Sequence, residues 1–147
     1  MKNLFYKISV LIEQYYLELC ALEILLVILA IPSIRLLERM MIAVAVAAVL
    51  CEVIKIFVRE SRPATALNKK FYKKSFKLNL RSFPSTHSAV AMAFAGLLIN
   101  SFIFIPVLIF GAIVAYSRVY IKDHYIHDVI AGGAIGFIIG YLFITFI

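Results

Sequence analysis

The stretch "HYIHDVIAGGAIGFIIG", His124 to Gly140, decides how this chain is read. It opens with two histidines and an aspartate and runs on into apolar sequence. On a helix, residues four apart share a face. His124 and Asp128 are four apart, and Gly132, Gly136 and Gly140 continue the same stripe. Small residues at that spacing let helices approach closely in a membrane. The stripe is therefore expected to face into a helix bundle, with a carboxylate beside an imidazole at its polar end. Such a carboxylate holds the ring, selects its tautomer and raises its nucleophilicity. The same pair also occurs as a plain tie between helix ends, so it needs company before it implies chemistry. His127, adjacent to Asp128, is expected to splay away by about 100°. His127 and Asp123 read as interfacial residues without a catalytic task.

Working outward, the chain of 147 residues suits one domain, residues 1–147. It is 64% hydrophobic and only 16% charged, too apolar for the surface of an ordinary soluble domain. The apolar residues come in runs suited to crossing a bilayer, which takes about 20 residues each. The fold class expected is all-α, a polytopic transmembrane helix bundle. Five spans are expected: Leu19 to Ile34, Met40 to Phe57, Ser85 to Asn100, Phe102 to Tyr116 and Ile126 to Ile147. Before them, Leu4, Phe5, Ile8, Leu11, Ile12, Tyr15 and Leu19 fall at helical spacing, with Lys7, Gln14 and Glu18 opposite. This predicts an amphipathic helix lying in the membrane interface. Glu13 and Glu18 interrupt any signal-peptide core. Cys20 and Cys51 lie far apart in apolar segments and read as buried structural thiols.

Parity of the spans gathers three polar clusters on one membrane face: the end of the second span, the start of the third and the start of the fifth. In the first cluster, "KIFVRESRP", Lys55 and Arg62 are seven residues apart, two helical turns, and Pro63 is expected to stop the helix. Two fixed cations on one side suit a multiply charged anion such as phosphate; a lone Lys55 would read as a snorkelling cation. In the second, "FPSTHSAV", Ser85 or Thr86 caps a helix whose first N–H groups attract anions. His87 stands one step inside, near enough to give a proton to a group held there. An ordinary helix cap explains the Ser and Thr but leaves the histidine without a task.

Together the clusters resemble the type 2 phosphatidic acid phosphatase superfamily, which includes the vanadium haloperoxidases. The family pattern is Lys, six residues, Arg-Pro; then Pro-Ser-Gly-His; then Ser-Arg, five residues, His, three residues, Asp. Here stand Lys55 to Arg62-Pro63, Pro84-Ser85-Thr86-His87, and Ser117-Arg118 to His124 and Asp128, in the same order and with the same internal spacings. The match covers about half the chain, and the three motifs in order are far more specific than any one. Thr86 stands where the family often has glycine, whose lack of a side chain lets a backbone N–H approach phosphate. The expected count of five spans plus an interfacial helix also departs from the six spans common in the family.

The resemblance implies a membrane lipid phosphatase in which His124 attacks phosphorus, Asp128 orients it and His87 protonates the leaving oxygen. Lys55, Arg62, Arg118 and Ser85 would hold the phosphoryl oxygens, with Thr86 as a further contact. Three fixed cations can stabilise the transferring phosphoryl group as Mg²⁺ does elsewhere. No metal or other cofactor is expected, because no carboxylate cluster suited to Mg²⁺ is visible in the sequence. Candidate substrates are lipid A 1-phosphate, undecaprenyl diphosphate and phosphatidylglycerophosphate. The alternatives are a non-catalytic membrane protein that binds anionic lipid and a small transporter. The first would have little use for both histidines; the second would place polar residues near the midplane of several spans. A haloperoxidase fits poorly with so apolar a chain.

Of the 15 basic residues, all but Arg35 and Arg39 fall on the face of the three clusters. The segment "NKKFYKKSFKLNLR", residues 68–81, interleaves cations with aromatics and suits anionic headgroups of the bilayer rather than nucleic acid. The positive-inside rule would put this face in the cytoplasm. Bacterial members of the family commonly work on the outer face of the inner membrane, and the expected placement is a multi-pass protein there with its site on the periplasmic side. The glycine stripe is satisfied within the bundle and says nothing of oligomeric state.

Overall fold

The computed structural model describes residues 4–63 and 81–146. The expected headgroup-binding segment lies outside the described residues except for Arg81. Among the described residues six helices form: α1 (Leu4–Gln14), α2 (Tyr16–Ala30), α3 (Ile34–Val58), α4 (Thr86–Leu97), α5 (Phe104–Tyr120) and α6 (Ile126–Phe146). Their boundaries follow local chemistry. Ser33 caps α3 by accepting from Leu36 N at 3.3 Å, and Ser85 caps α4 by accepting from Ser88 N at 3.4 Å. Pro106 sits in the first turn of α5, where a missing N–H costs nothing.

The core is built around α4. Nine of its 12 residues are buried, and α3, α5 and α6 all pack against it. It is rich in alanine because its neighbours come too near for larger side chains. The stripe Gly132, Gly136 and Gly140 of α6 is the contact surface. A Cβ on Gly132 would run into Ser85 O, and one on Gly136 into Ala89 O. The outer surface is the reverse of a soluble protein: Leu17, Leu29, Phe57, Phe102 and Phe146 are each at least 71% exposed. So much exposed apolar surface requires hydrocarbon around it.

Several expectations change. By length and composition, two helices suffice to cross a membrane, α3 with 25 residues and α6 with 21. The apolar α4 and α5 are shorter, with 12 and 17 residues. Helix α4 need not match the bilayer because protein, not lipid, surrounds it. The N-terminal amphipathic stretch does not run on to Leu19; it breaks at Tyr15, and α2 starts at Tyr16. Its apolar residues divide, Leu4 and Leu11 facing outward while Phe5 packs edge-on against Tyr120 and Ile12 is buried. Pro63 does not stop α3, which has already ended at Val58 with Arg59 in the left-handed region, φ 52°. Arg62 therefore leaves Lys55's helix and lies in a segment pinned by a bridge between Ser61 and Arg81 and by Ser82 N donating to Glu60 O at 2.7 Å.

Helices α3 and α5 thus end, and α4 and α6 begin, at one end of the bundle. The α1–α2 junction joins them there through Glu13 and Tyr16. The arriving C-termini carry Lys55 and Arg118 in their last turns, and the departing N-termini add their positive dipole ends.

Candidate active site

His124 is the centre of the polar end. It is buried, just before α6, where its N–H bonds to Arg118 O at 3.2 Å. Its Nδ1 lies 3.3 Å from Asp128 Oδ2. That oxygen is held in turn by the Tyr125 N–H at 2.8 Å and by the Ser82 hydroxyl. With Nδ1 committed to Asp128, the free lone pair belongs to Nε2. Nε2 looks towards Asp123, whose Oδ2 is 3.6 Å away.

Asp123 is the surprise of the site. The sequence offered it no task, yet its carboxylate pairs with Arg62 and lies 4.0 Å from Arg118 Nη1. An anion therefore already sits between two guanidinium groups and in front of Nε2. Burial pushes the Asp123 carboxyl up, but the Arg62 guanidinium, helped by His124 and Arg118, outweighs burial. The group is held below the usual carboxylate range. Arg118, fully buried, is also paired with Glu13 of α1.

Lys55 is buried at the end of α3 and donates to Glu52 Oε1 at 2.7 Å and to Thr86 Oγ1 at 2.5 Å. Thr86 also donates to Glu52 Oε1 at 2.7 Å. The hydroxyl that replaces the family's glycine is thus engaged with the lysine. Arg81 donates to Lys55 O at 2.8 Å, which ties the far end of the connecting segment to α3. Ser85 caps α4, and its backbone N–H bonds to Asp128 O at 3.0 Å, joining the second motif to the third. The His87 ring lies against Tyr16, centroids 4.2 Å apart, and within electrostatic reach of Lys55, Arg62, Asp123 and His124.

All eight residues singled out from the sequence therefore gather at this end: His124, Asp128, His87, Lys55, Arg62, Arg118, Ser85 and Thr86. Sequence reading missed Ser82, Glu13, Glu52 and Tyr16, and undervalued Asp123. Glu13, Tyr16 and Ser82 lie outside the motif helices, and no spacing rule links them to the motifs; Glu52 stands three residues before Lys55 on α3, a helical spacing that could have found it. His127 also departs from expectation. Instead of splaying away, its Nε2 reaches Asp128 Oδ1 at 3.1 Å and Glu60 Oε1 at 3.0 Å. An open depression of about 510 Å³, lined by Pro63, Val119, Tyr125 and Ile126 among others, leads from the surface to His124. Chemically, the arrangement offers one oriented imidazole, several cations around one anion position, and a second imidazole nearby.

Comparison with known proteins gives the family and the fold. Residues 37–147 match the family model of the PAP2 superfamily. The undecaprenyl-diphosphatase BcrC of Bacillus subtilis (strain 168) is 40% identical over 67 residues, 44% of this chain and 35% of that protein. The match thus spans about a third of that relative's length. Among solved structures, the chain resembles the transmembrane PAP2-type phosphatidylglycerolphosphate phosphatase of Bacillus subtilis. The TM-score is 0.70 over 97% of this chain and 76% of the other, at 18% identity, which speaks for the fold alone.

Proposed function

Because the chain belongs to the PAP2 superfamily, we propose that it is a membrane phosphatase acting on a lipid diphosphate of the undecaprenyl class. The observation that carries this reading is His124, whose Nδ1 faces Asp128 and whose Nε2 faces an anion position flanked by Arg62 and Arg118. Phosphoryl transfer needs mainly such positioning and cationic stabilisation of the equatorial oxygens. The relative named undecaprenyl-diphosphatase supports the choice of substrate.

In the proposed reaction the terminal phosphate displaces Asp123 from the arginines. Nε2 attacks the terminal phosphorus, and the bridging P–O bond breaks. His87 protonates the departing oxygen of the lipid monophosphate. Water then attacks the phosphohistidine, the P–N bond breaks, and inorganic phosphate leaves. Lys55, Arg62 and Arg118 hold the phosphoryl oxygens, with Ser85, Thr86 and the α4 N-terminus beside them. The headgroup enters by the depression while its chain stays in the bilayer. In the same reading the bundle spans the membrane five times, with α1 at the interface and the site on the outer face of the bacterial cytoplasmic membrane.

Phosphatidylglycerophosphate, named for the solved protein of similar fold, is the second candidate. No comparison favours lipid A 1-phosphate. The test is phosphate release by the detergent-purified protein, offered all three lipids with EDTA present, beside His124→Ala. Release by the wild type and a loss of roughly 10³-fold or more in the variant is expected. Equal release by both proteins would exclude a phosphohistidine at His124. Release that vanishes in EDTA and returns with Mg²⁺ would exclude the metal-free reaction. Lipid binding without release would favour the non-catalytic alternative.

A further inference from the structure

On the side of Asp128 away from His124 stands a group the reaction does not use. His127 Nε2 lies 3.0 Å from Glu60 Oε1 and 3.1 Å from Asp128 Oδ1. One donor atom from each of the three residues lies within 4.8 Å of the others. An ion held tetrahedrally at about 2.0–2.2 Å from N and O donors separates them by roughly 3.3–3.6 Å. The two distances from His127 fall within a few tenths of an ångström of that separation.

A second observation points to a ligand. Asp128 is fully buried, and its Oδ1 accepts no hydrogen bond among the described residues, whereas Oδ2 is held by Ser82 and Tyr125. A buried carboxylate oxygen without a hydrogen bond is costly, and this one is turned towards His127. The other donors are held in place. The His127 ring stacks on Tyr125, planes 8° apart, and Glu60 sits on backbone pinned by Ser82. The His127 side chain is 57% exposed, which gives an ion an entry path and leaves room for water as a fourth ligand.

We propose that Glu60, His127 and Asp128 form an inhibitory site for a divalent transition cation of the Zn²⁺ class. One imidazole and two carboxylates suit Zn²⁺, whereas Mg²⁺ prefers six oxygens and keeps its waters. Bound there, the ion shares Asp128 with His124. It draws off the negative charge that orients the nucleophile and adds positive charge beside an imidazole that must become phosphorylated. The inhibitory half rests on the phosphohistidine reading; the binding half stands without it.

The experiment is calorimetric titration of Zn²⁺ into the detergent-purified, EDTA-stripped full chain, with Mg²⁺ as a control. Wild type, Glu60→Ala and His127→Ala are compared. One Zn²⁺ per chain is expected, with at least tenfold weaker binding in each variant and no heat from Mg²⁺. Zn²⁺ bound equally well by both variants, or by none of the three proteins, overturns the site. In parallel, Zn²⁺ should stop phosphate release by the wild type. Glu60→Ala should keep its metal-free rate and need at least tenfold more Zn²⁺ for the same effect. Binding at the site with an unchanged or raised rate overturns the inhibitory role. A wild type that binds Zn²⁺ but hydrolyses nothing refutes the phosphatase reading and with it the inhibitory role, and the calorimetry still decides the site.

Discussion

In the proposed reaction Asp123 holds the place that the phosphate takes. Its carboxylate lies between Arg62 and Arg118, in front of His124 Nε2. Removing its charge should free the arginines for a ligand. We expect Asp123→Asn to bind inorganic phosphate about 3- to 10-fold more tightly, read as product inhibition or by calorimetry, through relief of one direct charge competitor. Unchanged or weaker phosphate binding would exclude the displacement step. The pH dependence has a definite sign. A carboxyl held below its ordinary value in the folded state contributes stability above the unfolded pKa, about 3.9. That contribution is lost as pH falls through the lowered folded value. Asp123→Asn should therefore be less sensitive than the wild type to acid in that window, measured by thermal unfolding at stepped pH. Thr86 acts on the neighbouring cation. Its hydroxyl holds Lys55 together with Glu52, so Thr86→Val should raise KM about 3- to 10-fold with kcat little changed. Thr86→Ser should restore the wild-type value. Loss in kcat alone would assign Thr86 to the chemical step.

At the scale of elements, the site depends on how closely α4 and α6 approach. Ser85 N reaches Asp128 O at 3.0 Å only because Gly132 and Gly136 let the helices touch along their backbones. A methyl on Gly136 would meet Ala89 O, which belongs to a helix backbone and cannot turn aside. Gly136→Ala should destabilise the bundle by about 1–3 kcal/mol and lower its unfolding temperature in detergent. The lipid-facing change Ile130→Val, at a residue 65% exposed, should leave it nearly unchanged. Equal behaviour of the two variants would mean that the helices separate without cost. The glycine stripe was legible from its spacing of four. The end of α3 was not, because Arg59 accepts a left-handed conformation that glycine usually supplies. Pro63 marked the more obvious stop.

For the whole molecule, the proposed orientation is tested at the two ends of the bundle. The fold puts Lys122 at the polar end and Asn100 at the other, both exposed. With the proposed outward site, Lys122→Cys should react with an impermeant thiol reagent in intact cells. Asn100→Cys should react only after permeabilisation. The reverse pattern would place the site in the cytoplasm, as the positive-inside rule reads it. Both native cysteines, Cys20 and Cys51, are reduced to background by replacement with alanine before labelling.

Sequence by itself determined the class of this protein, because the information is local. Apolar runs demand lipid, and spacings of four and seven put residue types on known faces. Three motifs in order then named His124, Asp128, His87, Lys55, Arg62 and Arg118 before any fold was known. Tertiary structure alone decided who holds those residues. Ser82 reaches Asp128 across 46 positions, Thr86 reaches Lys55 across 31, and Glu13 comes to Arg118 from α1. It also decided that Asp123 faces His124 Nε2 and that His127 turns back to Asp128. These contacts join residues distant in sequence, or follow from rotamers at a helix start, and periodicity carries no information about either. A charge in a buried site takes whatever opposite charge the packing brings within reach, and packing is a property of the assembled bundle.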